Sequence, residues 1–392
     1  MTPAQPTEPR IAIACGGTGG HLFPGLAVAG ELRQRGCAVT LLISPKEVDQ
    51  QGVKTAEGVK VVTLPAVGLT KKSKWAFARG FAQSYRASKK LFRAEPPEAV
   101  LAMGGFTSAP PVLAGRDVGA PTFLHESNTI PGRANRWLSW VITQAFVGFP
   151  ECAERMHRKQ ATVTGTPVRP QFQPMDAAAC RETLGLDPKR PTLLVTGGSQ
   201  GASGLNHLMV VTLPLLAKLL PELQVLHLTG PSDVEKVMQA CESNHIKAIV
   251  RPFLNDMHLA LGAASVVVSR SGASSLAEIA AMRLPSVLVP FPAATGNHQY
   301  FNALSFQKTG AAYLMQQKNG SPDWLAPKIV ELIKDATVRE DMQIALAKRH
   351  APGAAGQIAE SIMQTIIARR RNVSRPAGEN SPNIQHRQSV IT

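Results

Sequence analysis

Two glycine clusters, each directly after a run of apolar residues, constrain the fold of this 392-residue chain most. Gly16-Gly17-Thr18-Gly19-Gly20-His21 follows residues 11–15, and Gly197-Gly198-Ser199-Gln200-Gly201-Ala202 follows residues 192–196. Glycine lets the backbone take positive φ and approach a bound group, and a helix that begins there offers free N–H groups and a positive dipole end. Each cluster therefore predicts a strand, a tight turn suited to phosphate, and a helix.

The flanking residues define these two units further. In the first unit Pro24 is a residue with which a helix can begin, and the helix is expected to run to about Arg35, before Gly36. In the second unit the apolar spacing continues until Pro214 interrupts it. Neither cluster matches the dinucleotide fingerprint, whose third glycine would fall at Leu22, and neither contains the Gly-Lys-Ser/Thr of a P-loop. A turn without a ligand explains one cluster alone, whereas two in equivalent places favour a bound phosphate group.

The chain is long enough for two domains, and strands alternate with helical stretches throughout it. This rhythm predicts an α/β fold with two parallel, doubly wound sheets. The predicted strands of the first sheet lie near residues 11–15, 39–43, 60–64, 99–103, 121–125 and 145–148. Those of the second lie near residues 192–196, 224–229, 247–251, 265–269 and 286–290, with a further candidate at 311–315.

Proline, glycine and polar residues suggest where these domains begin and end. We predict a disordered N-terminus (residues 1–9), a first domain (10–168), a second domain (169–350), a C-terminal helix (351–371) and a disordered tail (372–392). The segment Gly165-Thr166-Pro167-Val168-Arg169-Pro170 has the composition of a hinge between the two domains.

A net charge of +15 indicates an anionic partner, and the charge is unevenly distributed. Between Gly68 and Ala94 eight basic residues and no acidic ones occur among aromatic residues, with Phe77, Phe81 and Tyr85 four positions apart. A basic amphipathic helix resting on an anionic membrane surface and an aromatic stripe facing the core explain this pattern about equally well. Nucleic acid is not expected, because no nucleic-acid-binding module accompanies the patch.

Cysteine spacing and hydropathy indicate the cellular setting. The five cysteines form no CxxC pair, which favours a reducing cytoplasmic environment. No apolar run approaches 18 residues, and the first ten residues lack the apolar core of a secretion signal. We therefore expect a protein that stays in the cell and does not span a membrane.

Polar segments follow several of the predicted strands. These are residues 104–110, 125–128, 269–278 and 297–300. Each alone is explained by turn chemistry, and Ser274 or Ser275 with Glu278 has the spacing of a capping box. Because the carboxyl ends of parallel strands share one edge of a sheet, a common site is the favoured interpretation. No Asp-x-Asp sequence occurs, so we expect no metal in this site.

Seven segments carry a resemblance to a known family: GGTGGHLFPGLAVA, GGFTSAP, HESN, TGTPVRP, GGSQGA, SRSGASSLAEIAA and HQYFNAL. In this order they resemble the MurG-type glycosyltransferases of bacterial cell-wall synthesis, which make lipid II from lipid I and UDP-N-acetylglucosamine. The resemblance runs from about Arg10 to Ala368. It implies a GT-B fold: two Rossmann-like domains facing across a cleft, with the acceptor mainly on the first domain and the nucleotide sugar mainly on the second. A C-terminal helix would return toward the first domain.

The resemblance also implies an activity and a location. The expected reaction is inverting transfer of N-acetylglucosamine to the C4 hydroxyl of lipid I, without cofactor or metal, at the cytoplasmic face of the inner membrane. The alternatives are another GT-B glycolipid transferase, a UDP-sugar 2-epimerase, and a nucleotide-sugar-binding scaffold that has lost catalysis.

The family's functional positions are carried over residue by residue. His21 is the first candidate for the catalytic base, since its pKa suits proton transfer near neutrality, and His125 and Glu126 are the alternatives. The segment from Ala273 would hold the phosphates, Glu278 the ribose hydroxyls, and the Leu254 backbone the uracil. The full set of implied donor contacts is Thr18, Gly19, Gly20, Asn128, Arg169, Ser199, Leu254, Ala273, Ser274, Ser275, Leu276, Ala277, Glu278 and Gln299.

Overall fold

A computed structural model describes residues 8–55, 58–65, 74–156, 161–198 and 201–374 of the chain. These residues form two parallel β-sheets with helices around them. The strands of the first sheet are β1 (Arg10–Ala14), β2 (Ala38–Ile43), β3 (Lys60–Thr63), β4 (Ala99–Ala102), β5 (Thr122–Glu126), β6 (Gln144–Val147) and β7 (Ala161–Val163). Those of the second are β8 (Thr192–Thr196), β9 (Gln224–Leu228), β10 (Lys247–Arg251), β11 (Val266–Ser269), β12 (Ser286–Leu288) and β13 (Tyr313–Leu314).

Helices connect most of these strands. They are α1 (Gly19–Gln34), α2 (Glu47–Gly52), α3 (Lys74–Ala94), α4 (Ala109–Asp117), α5 (Arg133–Leu138), α6 (Pro150–Ala153), α7 (Ala177–Leu184), α8 (Ser203–Leu219), α9 (Val234–Ser243), α10 (Met257–Ala263), α11 (Ala273–Ala281), α12 (His298–Gln307), α13 (Pro322–Lys334), α14 (Ala336–Arg349) and α15 (Ala354–Ser374). We call the part of the chain around the first sheet the first half and the part around the second sheet the second half.

The strand orders place the glycine clusters at equivalent points of the two sheets. The first sheet runs β3-β2-β1-β4-β5-β6-β7 and the second β10-β9-β8-β11-β12-β13. The order reverses between β1 and β4 in one sheet and between β8 and β11 in the other. Open parallel sheets bind ligands beyond the carboxyl ends of their strands at such a reversal. The glycine clusters follow β1 and β8, so the predicted parallel, doubly wound α/β fold is confirmed and both clusters lie where a ligand is expected.

The last described helix completes the core of the first half. Ile358, Ile362 and Ile366 of α15 are buried in one apolar cluster with residues of β1, β2 and α1. The Arg370 guanidinium donates to both carboxylate oxygens of Glu98, which lies just before β4. The chain therefore crosses from the first half to the second after β7 and returns before α15. The exact domain boundaries proposed above stay a prediction.

The two crossings touch each other. Gly165, just after β7, has φ of +81°, and a Cβ on it would lie 2.3 Å from Cβ of Ala351, which precedes α15. The Gly165 carbonyl accepts a hydrogen bond from Nε2 of His125 at the end of β5 (2.9 Å). Glycine is required at this position both by the backbone conformation and by the approach of Ala351.

Several local expectations were wrong. Strand β7 was not predicted, because its three residues are too few for a period-2 pattern. Helix α1 begins five residues before Pro24, and α8 continues past Pro214 to Leu219. A proline removes one helical hydrogen bond without ending the helix when the rest of the helix is packed, as α1 and α8 are.

The alternative explanation of residues 269–278, a capping box, does not hold. Gly272 precedes α11 as its cap residue, so Ser274 and Ser275 already lie within the helix. No side chain of the described residues caps the first turn of α11. The N–H groups of that turn are therefore not occupied by a capping side chain.

Candidate functional site

Hydrogen bonds from neighbouring segments hold the first glycine turn in place. The Gly17 amide, with φ of +111°, donates to the buried carboxylate of Asp49 (2.6 Å), which also accepts from the Ser44 amide (3.1 Å). Thr107 donates through its hydroxyl to the Gly16 carbonyl (2.6 Å), and Lys46 donates to the Gly17 carbonyl (2.8 Å). These bonds fix the turn that leads into α1, and with it the direction of the side chains that follow.

His21 lies in a niche that glycines form. Its imidazole packs against Gly104 and Gly105, where added Cβ atoms would lie 3.2 Å and 2.8 Å from ring atoms. Nδ1 is 3.2 Å from the hydroxyl of Thr18. The pKa of His21 is below its ordinary value of 6.5, because burial disfavours the imidazolium more strongly than Glu126 and Asp49 favour it. The ring is therefore neutral near pH 7.

His125 and Glu126 are buried and fully bonded. Nε2 of His125 bonds the Gly165 carbonyl, and its Nδ1 is 3.3 Å from the Ser127 hydroxyl. Burial lowers the pKa of His125. Glu126 accepts from the Asn128 amide and side chain at one oxygen, and from the Gly132 amide and Asn135 side chain at the other (2.6–2.9 Å).

The two halves meet at the first turn of α1. The helical partner of the Gly20 carbonyl would be the amide of residue 24, but Pro24 has no N–H. Ser274 of α11 donates to this carbonyl instead, at 2.9 Å. Pro24, which was expected at the start of the helix, thus leaves the Gly20 carbonyl free to accept a hydrogen bond from the other half. The structure brings together two of the residues implied as donor contacts, Gly20 and Ser274.

A second pair joins the hinge segment to α11. The Arg169 guanidinium lies 3.6 Å from the Glu278 carboxylate and between the rings of Phe23 and Phe172, 4.2 and 4.9 Å from their centroids. Burial raises the pKa of Glu278 to about 7, although Arg169 opposes the shift. At 3.6 Å this ion pair is long, and the carboxylate oxygens of Glu278 can accept further hydrogen bonds from hydroxyl groups.

The other implied donor contacts are more scattered. Gln299 accepts at its side-chain oxygen from the Phe291 amide and at its carbonyl from Ser271 (2.9 and 2.8 Å). Leu254 is 8% exposed and belongs to the core. Ala273 and Leu276 are buried and belong to the apolar core. Ser199 lies outside the described residues.

Two buried residues at this junction were not singled out from the sequence. Asn302 on α12 bonds Asn128 and Thr129 of the first half. Arg270 follows β11 and donates to the Val289 and Pro290 carbonyls, which holds the end of β12 against the turn before α11. Both residues lie inside the recognised segments HQYFNAL and SRSGASSLAEIAA, but nothing in a sequence pattern distinguishes them from their neighbours.

The basic stretch around α3 has two distinct faces. Phe81 and Tyr85 pack against the core, and Phe77 lies near Phe106 with ring centroids 6.4 Å apart, so the predicted aromatic stripe faces the protein. On the opposite side Trp75 is 89% exposed. The exposed positions Arg79, Arg86, Lys90 and Arg93 follow it on the same helical stripe. Residues 68–73 of the predicted patch, with Lys71 and Lys72, lie outside the described residues.

Among the residues that the structure describes, no helix is long and apolar enough to cross a bilayer. Within the same residues, no three histidine, cysteine or acidic side chains are grouped as metal ligands would be.

Comparison with known proteins identifies the family. The model of the glycosyltransferase family 28 N-terminal domain matches residues 11–147, and that of the C-terminal domain matches residues 192–358. The chain belongs to glycosyltransferase family 28. The UDP-N-acetylglucosamine–N-acetylmuramyl-(pentapeptide) pyrophosphoryl-undecaprenol N-acetylglucosamine transferase of Moorella thermoacetica is 34% identical to this chain over 374 residues. The match covers 91% of this chain and 99% of that protein. A Geobacter metallireducens protein of the same name is 36% identical over 83% of the chain and 90% of its own length.

Solved structures agree with this membership of family 28. MurG of Acinetobacter baumannii superposes with a TM-score of 0.71 and 26% identity, over 91% of this chain and 99% of that one. A UDP-N-acetylglucosamine 2-epimerase superposes with a TM-score of 0.67 at 14% identity, which shows a shared fold alone. The predicted GT-B fold and the resemblance to MurG-type transferases are confirmed.

Proposed function

We infer that this protein transfers N-acetylglucosamine from UDP-N-acetylglucosamine to lipid I and so makes lipid II. The observation that carries this conclusion is the alignment with transferases of that name over nearly their whole length. The site agrees with it, because the phosphate-type turn of the first half lies directly against the start of α11 in the second half. A glycosyl donor and an acceptor must meet at such a junction for direct transfer.

The second half supplies most of the donor site in this proposal. The unoccupied N–H groups and dipole of α11 offset the charge of the diphosphate, with Arg169 close by. Glu278 accepts hydrogen bonds from the ribose hydroxyls, the Leu254 backbone meets the uracil, and Gln299 contacts the sugar. From the first half, Thr18, Gly19, Gly20 and Asn128 face the sugar and diphosphate. No metal ion is required for this charge balance.

His21 is the proposed catalytic base. The proposal uses the tautomer with the proton on Nδ1, which donates to the Thr18 hydroxyl, so that the Nε2 lone pair takes the proton of the acceptor C4 hydroxyl. The hydroxyl oxygen attacks the anomeric carbon as the bond from that carbon to the UDP oxygen breaks, and UDP leaves with the bonding electron pair. A single displacement inverts the anomeric configuration. The burial and complete hydrogen bonding of His125 and Glu126 support His21 as the base rather than either of them.

We also propose that the exposed stripe of α3 binds the anionic surface of the inner membrane from the cytoplasmic side. Trp75 and the basic residues that follow it are arranged as in an interfacial helix. Trp137 in the last turn of α5 and Trp140, two residues after the helix, are 52% and 60% exposed, and Arg136 beside Trp137 is exposed as well. Exposed tryptophans beside cations are typical of surfaces that rest on lipid headgroups. Such a surface would bring the first half to its lipid-linked acceptor.

Transfer of radiolabelled N-acetylglucosamine to a lipid I analogue tests the function. We expect the full chain to form labelled product and His21→Ala to lower kcat roughly 10²–10⁴-fold with nearly unchanged UDP affinity. The acidic limb of the pH profile of kcat/KM, below pH 6.5, should disappear as well. His207→Ala, on an exposed face of α8, is the control. An active His21→Ala enzyme would exclude the imidazole as base, and a wild-type chain without product would refute the function.

A further inference from the structure

Asn302 uses all four hydrogen-bonding positions of its side-chain amide where the two halves meet. It is fully buried on α12. Its oxygen accepts from the amide and the hydroxyl of Thr129, both at 2.9 Å. Its nitrogen donates to the side-chain oxygen of Asn128 (3.0 Å) and to the Ser271 carbonyl (3.2 Å). We propose that Asn302 is a positioning residue that sets the catalytic first half against the donor-binding second half, an inference that rests on the proposed function.

The orientation of this amide is determined by its neighbours. The carboxylate of Glu126 can only accept, so it fixes the Asn128 side chain with its nitrogen toward Glu126 and its oxygen toward Asn302. That oxygen in turn requires the nitrogen of Asn302, which leaves the Asn302 oxygen for Thr129. A continuous hydrogen-bonded path therefore leads from the end of β5, through Asn128 and Asn302, to the Ser271 carbonyl.

The two ends of this path lie in the two parts of the proposed site. Glu126 is the last residue of β5 and Asn128 follows it, and β5 lies beside β4, which leads into the Gly104–Gly105 niche that holds His21. Ser271 lies in the turn directly before α11, where the diphosphate is proposed to bind. A buried amide with fixed partners on both sides has one arrangement of low energy, because any displacement leaves buried polar groups unpaired. Asn302 thus specifies where the base lies relative to the donor.

The other contacts described between α12 and the first half do not reach the proposed site. Ser305, also on α12, donates to Glu151 of the first half (2.8 Å), and Arg155 lies 5.9 Å from the centroid of the Phe301 ring. These contacts hold the halves together but touch none of the proposed donor contacts. Asn302 alone among these α12 residues bonds both a proposed donor contact, Asn128, and the turn before α11.

Asn302→Asp tests the proposal, because it keeps the shape and removes both donors. Gln224→Glu is the matched control: Gln224 is equally buried and also bonds through both ends of its amide, but all its partners lie in the second half, at Asp187, Arg190 and Thr192. Calorimetry with UDP gives the dissociation constant and the fraction of competent sites, and transfer to a lipid I analogue gives kcat per competent site. Both variants are expected to unfold at lower temperature than the wild type.

The two variants should differ in catalysis. Asn302→Asp is expected to lower kcat per UDP-binding site at least tenfold with the UDP dissociation constant within threefold, whereas Gln224→Glu keeps kcat within twofold. Thr129→Val, which removes one hydroxyl donor and is milder, should lower kcat severalfold in the same way and serves if Asn302→Asp does not fold. The proposal would be overturned if both Asn302→Asp and Thr129→Val kept the wild-type kcat per site. If Asn302→Asp does not fold, a wild-type kcat in Thr129→Val alone would overturn it. A wild-type chain without transfer would instead overturn the proposed function and this inference with it.

Discussion

Arg169 and Glu278 form an ion pair that burial keeps weak. The two side chains are only 14% and 15% exposed, and their closest charged atoms are 3.6 Å apart. Nε of Arg169 has no hydrogen-bond partner among the described residues. Burial lowers the pKa of Arg169 and raises that of Glu278, which is the pattern of two charges that are desolvated more than they attract each other. A ligand with hydroxyl groups would supply further hydrogen bonds to Glu278.

The raised pKa of Glu278 makes the stability of the fold depend on pH. Because the folded-state pKa of about 7 exceeds the ordinary value of 4.5, the unfolded chain loses the Glu278 proton first, and the fold loses stability as pH rises from about 4.5 to about 7. Glu278→Gln stays neutral, so its free energy of unfolding should rise relative to the wild type by about 1–3 kcal/mol between pH 5 and pH 8. Urea denaturation without ligand at the two pH values measures this. Glu340→Gln, at an exposed position on α14, is the control. A difference independent of pH would contradict the burial of the Glu278 charge.

Single residues of the site differ in how far the sequence could predict them. His21, Ser274 and Glu278 belong to motifs whose chemistry is clear from residue type and spacing. Asn302 and Asp49 owe their importance to partners more than 30 positions away, which no local pattern reveals. The role of Pro24 was mispredicted for the same reason. Because Pro24 has no N–H, the Gly20 carbonyl accepts from Ser274, which lies 254 positions further along the chain.

The helix α3 packs against the protein with one face and exposes cations on the other. Its inward face carries the aromatic residues that pair with α4 and Phe106, and its outward face carries Trp75 and a row of cations. The sequence could not decide between a membrane-binding helix and a core-packed one because both patterns are present. The structure assigns the aromatic stripe to packing, while membrane binding remains a proposal for the exposed stripe.

Charge reversal on the exposed stripe tests that proposal. Arg79, Arg86 and Lys90 changed together to Glu should weaken binding to phosphatidylglycerol vesicles by at least about 3 kcal/mol, since each basic residue near the surface contributes about 1 kcal/mol. Transfer to a water-soluble acceptor analogue should stay nearly intact. The same reversal at Lys218, Lys236 and Lys247, which are exposed in the second half, controls for net charge. Equal vesicle binding by the two triple variants would place the membrane surface elsewhere.

Element positions were predicted best where burial on both faces makes strands continuous apolar runs. The β1 and β8 runs are such cases, and each predicted boundary there is correct to one residue. β7 was missed because two of its three residues are polar or exposed at the sheet edge. Helix starts were predicted less well, since they depend on which N–H groups find partners elsewhere in the fold.

At the scale of the whole molecule, the two crossings between the halves meet at Gly165 and Ala351. Gly165→Ala should destabilise the protein by about 2–4 kcal/mol, because it combines positive-φ strain with overlap of two Cβ atoms. Gly119→Ala is a close control: it has the same φ of +81° but open space around the added methyl group, and it should cost only about 1 kcal/mol. Thermal denaturation measures both.

The contact can be separated from the strain by a second change. Ala351→Gly in the Gly165→Ala background removes the opposing methyl group, so the double variant should recover to about the level of Gly119→Ala. If the double variant is no more stable than Gly165→Ala, then the two crossings are not in contact in solution.

The packing of α15 on the first half has a consequence for biosynthesis. β7 ends at Val163 and α15 begins at Ala354, so about 190 residues are translated between the last strand of the first sheet and the helix that covers its core. At 5–20 residues per second this interval lasts roughly 10–40 s. Throughout it, the surface that will receive Ile358, Ile362 and Ile366 is exposed on the nascent chain. The core of the first half is therefore completed only when α15, the last described helix, has been synthesised.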